Sequence, residues 1–192
     1  ALEIRWNMID AWRRPKRGED AGYFALTAHA ISLADARIRA ADSGEMQLYA
    51  GIGHALKARL YAFRDEQRAA ARAGVKAREH FLRALALDPS LADANTGLGL
   101  YNYYVDTLST IARVLRFFMG IPAGNKQDGI RQLERAISAG GMSAVEARFY
   151  LAVNLRDHDR QYERAAQLLE PLVKEYPESP LFRLQLGNMY AK

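Results

Sequence analysis

The chain has 192 residues, 49% hydrophobic and 26% charged, with a formal net charge of +5 and no cysteine. This composition suits one globular domain or a short repeat array with a real core, and it excludes a disulfide scaffold, thiolate catalysis and low-complexity disorder. The mild basic excess permits weak attraction to anionic surfaces without requiring it, and no stretch reaches the ~18 uninterrupted apolar residues of a membrane-spanning helix.

Along the chain, apolar residues recur at intervals of three and four without β-branched alternation, which predicts helices and no strands. Ala1 in place of an initiating methionine leads us to expect residues upstream, and ALEIRWNMIDAW lacks the basic start, apolar middle and small-residue end of an export signal. Breaks are expected at Pro15 to Asp20, Ser43-Gly44, Asp88-Pro89, Gly120 to Gly124, Gly140-Gly141 and Pro177 to Pro180. They leave a short helix at Ile4 to Trp12, a helix at Gly22 to Ala41, and then paired helical segments.

Paired helices call for a repeat test. Ala77, Phe81, Ala84 and Pro89 carry the spacing 20, 24, 27, 32 of a helix pair about 34 residues long, and counting on from Pro89 puts Leu98 and Gly99 at 7 and 8. Ala165, Leu169, Leu172 and Pro177 repeat that spacing, and counting on from Pro177 puts Leu186, Gly187 and Tyr190 at 7, 8 and 11. Two separate prolines thus predict two separate Leu-Gly pairs. Small residues at 8, 20 and 27 let the two backbones cross closely while large ones fill the gaps.

On these residues the chain resembles the tetratricopeptide repeat family over most of its length. The resemblance implies an all-α fold, a right-handed α-solenoid of antiparallel helix pairs forming one domain over 1–192. The repeats run at about 1–43 (partial), 44–91, 92–143, 144–179 and 180–192, the last with its first helix only. With Gly51 at position 8, the pair ending at Pro89 is about 14 residues too long, roughly four extra turns shared between two helices. The next repeat carries about 18 extra residues, the segment DTLSTIARVLRFFMGIPAG. A lone first helix cannot bury its apolar face, so the chain is expected to be a fragment or a trimmed product. The ALDPSLADANTGLGLY join and the LRFFMGIP element are similar to a bacterial group of such proteins that are often exported; the sequence leaves the compartment open.

Catalytic and metal motifs do not emerge. There is no Gly-x-Ser-x-Gly and no glycine-Lys-Ser/Thr phosphate loop, and Gly51-Ile-Gly53 lacks the third glycine and the preceding strand of a dinucleotide site. His29, His54, His80 and His158 lack the i, i+3 or i, i+4 spacing that sets two ligands on one helical face. We therefore expect no enzyme and no cofactor. Arg64, Arg68, Arg72 and Lys76 form a basic stripe, but Asp65, Glu66 and Glu79 among them suit a solvated outer face better than a phosphate track, so no specific nucleic acid is expected.

In the resembled family the first helix of each pair lines a concave groove, chiefly through positions 2, 5, 9 and 12. Carried over, these are Leu48, Ile52 and Ala55; Asp93, Thr96, Leu100 and Tyr103; Phe149, Val153 and Arg156; and Leu184 and Asn188, with Tyr104 beside them. The expected function is a scaffold that binds a protein or peptide through apolar and aromatic contacts. The competing reading buries the tyrosines as core. Thr96 and Leu100 replace the Lys and Asn of the repeats that grip a terminal carboxylate, so that clamp is absent. Residues 106–124 read as a helix with a polar stripe of Asp106, Ser109, Thr110, Arg113 and Arg116 and an otherwise apolar surface. It is expected to fold onto its own repeat, the alternative being an envelope-structural or assembly module in which it mediates oligomerisation or membrane-surface contact.

Overall fold

The structure is a computed structural model and describes residues 17–108, 116 and 120–191. The expectations for Ile4 to Trp12, and most of those for the 106–124 segment, lie outside the described residues. Among the described residues the chain is all-helical, with eight helices and no strand: α1 (Arg17–Ala40), α2 (Gly44–Phe63), α3 (Gln67–Leu87), α4 (Ala94–Asp106), α5 (Lys126–Ala139), α6 (Ala144–Asp157), α7 (Tyr162–Glu175) and α8 (Pro180–Tyr190). Each helix packs on the next, and α2 also touches α4 as α4 touches α6.

Local chemistry sets several boundaries. The Ser43 hydroxyl accepts from the Met46 N–H at 3.4 Å and caps α2, and the Asn125 side chain does the same for α5 through the Asp128 N–H at 3.0 Å. Gly140, at φ 65°, turns the chain out of α5 in the left-handed conformation that glycine adopts without strain. Pro180 opens α8, where its missing N–H is no loss. The break expected at Pro15 to Asp20 is corrected in its later half, because α1 already runs from Arg17; Asp20, its fourth residue, is held by an ion pair from Arg64, just past the end of α2. The helices α2 and α3 are 20 and 21 residues long where α6 and α7 are 14 each.

The core forms between neighbouring helices. One cluster joins Leu48 of α2 to Ala77, Phe81 and Ala84 of α3 and Ala94 and Leu98 of α4. A larger one runs from Tyr103 through Leu133, Leu151 and Leu169 to Met189 of α8. Gly97 and Gly99 face opposite ways on α4, as residues two apart on a helix must. A Cβ at Gly97 would meet the Phe81 ring of α3 at 2.0 Å, and one at Gly99 would meet Leu133 Cγ of α5 at 2.7 Å. The two glycines let α4 lie tightly between α3 and α5.

The basic stripe needs one correction. Arg68, Arg72 and Lys76 are exposed, but Arg64 turns inward and forms a fork with Asp20, Nε to Oδ2 at 2.6 Å and Nη2 to Oδ1 at 2.7 Å. The two side chains are only 9% and 7% exposed. Removing the arginine would leave a carboxylate shielded from water without its counter-charge. Arg64→Met should therefore cost about 2 kcal/mol in urea melts, while Arg72→Met should stay within about 0.5 kcal/mol.

Candidate functional site

The residues expected to line a groove divide into three groups. Leu48, Thr96 and Tyr103 are buried; the Thr96 hydroxyl is 2.6 Å from that of Ser143, and the Tyr103 ring is wholly enclosed. The neighbouring helices close over these three. Ile52, Ala55, Leu100 and Phe149 are half-buried and pack against the core clusters, and Val153 is half-buried. Arg156 is half-buried and donates to Gln185 of α8 and to Asp157. Asp93 is spent inside the fold, its Oδ1 accepting from the Ser143 N–H and hydroxyl at 2.8 and 2.7 Å, which ties the start of α4 to the start of α6. Open to solvent are Tyr104 at 41%, Leu184 at 61% and Asn188.

The three clustered tyrosines of α4 thus have three roles. Tyr101 donates to the Pro122 carbonyl at 2.8 Å and pins the chain before α5, Tyr103 fills the core, and Tyr104 reaches the surface.

Tyr104 belongs to a group that the repeat positions do not reveal. Arg59, near the far end of α2, crosses to α6, where its Nη2 lies 2.6 Å from Glu146 Oε1 and its guanidinium sits 4.8 Å from the centre of the Tyr150 ring. Glu146, Tyr150 and Asn154 recur every fourth residue, so they share one stripe of α6. Tyr23 of α1 feels the Arg59 charge and donates its hydroxyl to the Leu56 carbonyl at 3.0 Å. The site is a strip in which α1, α2, α4 and α6 each place a side chain around one guanidinium.

Electrostatics keep this strip in a single protonation state. Burial raises the Tyr23, Tyr104 and Tyr150 hydroxyls above the ordinary phenol value, so all three remain neutral O–H groups at physiological pH. Burial also opposes the charge on Arg59, yet the attraction and hydrogen bond of the Glu146 carboxylate favour it, and the neutral Tyr150 ring offers its face to the guanidinium. Tyr104 offers a ring edge and a hydroxyl beside them, which suits an apolar group with a polar end. In the register expected from the sequence Glu146 would stand three residues before Phe149, at a position that reading did not carry into the site. Arg59, near the end of α2, falls outside the positions that the expected register singles out.

The histidines need a second correction. His54 of α2 and His80 of α3 are brought together, with ring centroids 5.4 Å apart and planes 10° from parallel. Spacing along one helix could not show this, because the pair forms between two. Among the described residues no group of three or more His, Asp or Glu gathers in a way that could hold a metal ion, and no helix is long and apolar enough to cross a membrane.

No family model, curated protein or solved structure matches the chain. The functional reading therefore rests on its own residues.

Proposed function

We propose that the chain is a non-enzymatic scaffold of tetratricopeptide type, a right-handed solenoid whose inner side binds a protein or peptide segment. The observation that carries this reading is the contact of α2 with α4 and of α4 with α6, over and above the contacts between sequence neighbours. Such contacts line alternate helices along one side of the stack, as in a solenoid of helix pairs. That side carries Tyr104 and the Arg59, Glu146 and Tyr150 group. Rigid aromatic rings with polar tips beside a fixed guanidinium are the side chains that dominate binding energy at protein interfaces. The intact gene product should capture the same protein from the native organism's extract in repeated pull-downs, and Tyr104→Ala with Tyr150→Ala should abolish that capture while leaving the far-ultraviolet circular dichroism unchanged. Capture unaffected by the pair of substitutions would overturn the reading.

Self-association is the second reading, and α8 favours it. Leu181, Leu184 and Tyr190 are exposed there at 43%, 61% and 64%, and a Cβ added at Gly187 would meet nothing within 4 Å. Light scattering on the purified chain distinguishes the two: a dimer that Leu184→Asp dissociates would favour this reading over the first.

A further inference from the structure

We propose that the stacked His54–His80 pair is an acid-responsive element that loosens the packing of α2 on α3 when its rings take up protons. The rings lie face to face, both half-buried, at the contact between α2 and α3. His80 is fixed in place: its Nδ1 is 2.7 Å from Gln47 Oε1, Gln47 Nε2 donates to Asp42 Oδ1 at 2.6 Å, and Arg83 Nε donates to Asp42 Oδ2 at 2.9 Å. A neutral stack costs nothing electrostatically. Two imidazolium rings at that separation repel, and with His80 held by Gln47 a looser contact between the helices relieves the repulsion.

The surrounding charges act in both directions. Lys57 on α2 and Lys76 on α3 add positive potential at His54, and Asp35 of α1 opposes them. Asp42, at the turn between α1 and α2, is engaged by Gln47 and Arg83 and also attracts a charge on His80, which leaves His54 as the ring whose charge is opposed. The helix α4, which also packs on both α2 and α3, has Asp106 at its far end as its one charged residue. Burial first, then His80 and the two lysines, push His54 down to about 4 from its ordinary 6.5. A histidine lowered in the folded state contributes its full stability above the unfolded value of 6.5, and that contribution is lost as pH falls toward about 4. The window therefore opens on the acid side of neutrality. Because α2 also carries Arg59, five residues beyond His54, loosening it disturbs the ion pair with Glu146.

Amide hydrogen exchange on the full chain, corrected for the intrinsic pH effect, tests the proposal. Between pH 7 and pH 5 the opening of residues 44–63 and 67–87 should rise about tenfold or more beyond that of 144–175, and His54→Gln should remove most of the excess. An equal rise throughout the chain, or the same excess in His54→Gln, would overturn the proposal. Should His54→Gln fold poorly, His80→Gln decides the matter by nuclear magnetic resonance: with the neighbouring ring uncharged, the His54 midpoint should move up from its wild-type value. An unmoved midpoint, or a wild-type midpoint at 6.5 or above, would show that the pair does not act as one element.

Discussion

Gly129→Ala is expected to lower stability by about 2 to 3 kcal/mol, net of the helix propensity that alanine adds, and to lower the melting temperature by roughly 5 to 10 °C. The methyl group would sit 2.7 Å from the Gly99 carbonyl oxygen and 2.8 Å from the Tyr103 amide nitrogen. Both are backbone atoms of α4, so no rotamer change relieves the clash and the two helices must separate along a contact that is part of the core. Gly99→Ala should behave alike, since its Cβ would meet Leu133 Cγ at 2.7 Å and the Gly129 carbonyl at 2.9 Å. Gly187→Ala should have the opposite sign, stabilising α8 by about 0.5 to 1 kcal/mol, because the new methyl enters open space. Paired thermal melts check the contrast. A Gly129→Ala protein that melts with the wild type would mean that α4 and α5 do not cross at these two glycines.

The glycines also show what could be read from the sequence. Gly51 and Gly99 were legible as crossing points because a close approach of two backbones leaves room for little but glycine, with a large side chain of the facing helix filling the space beside it. Here those side chains are Phe81 for Gly51 and Leu133 for Gly99. Turns built on glycine or proline were legible for the same reason, the conformation being narrow in what it accepts. The turn between α2 and α3 and the one between α6 and α7 instead pass through Asp65 at φ 56° and Arg160 at φ 54°. Aspartate enters the left-handed region more readily than most residues, but arginine does not announce it, and there the surrounding helices impose it. Face assignment was less legible than element type. Leu48, Thr96 and Tyr103 have the periodicity of a first helix whether the face is covered or open, and only the neighbours decide which it is. The Arg59 strip and the His54–His80 stack depend on how far lengthened helices reach and in which rotation they meet. No local spacing encodes either quantity.

Tyr103→Ala is expected to cost about 4 kcal/mol or more, the largest effect of any substitution considered, whereas Tyr104→Ala should cost under about 1 kcal/mol. The Tyr103 ring is fully enclosed in the larger core cluster, so its removal leaves a cavity the size of the aromatic side chain. Its hydroxyl lies 2.8 Å from Asp159 Oδ2 and 2.9 Å from the Asn154 carbonyl, and Lys126 Nζ meets the other Asp159 oxygen at 2.5 Å. Burial works to raise the Asp159 carboxyl, but Lys126 and the Tyr103 hydroxyl together hold it below the ordinary carboxylate range. Tyr104, one residue on, packs edge-on against Tyr103 with centroids 6.2 Å apart and keeps its outer side in water. Loss of helical content in Tyr103→Ala but not in Tyr104→Ala separates the core residue from the binding candidate, and unfolding curves in urea give both values. Tyr103→Phe isolates the hydroxyl, at about 1.5 to 2 kcal/mol if its proton goes to the charged carboxylate. A carboxyl lowered in the folded state contributes stability that is present above its unfolded value and lost as pH falls through the folded one. The deficit of Tyr103→Phe should therefore hold steady above about pH 5 and shrink below about pH 4. A deficit unchanged down to pH 3 would assign the proton to the Asn154 carbonyl, which does not titrate.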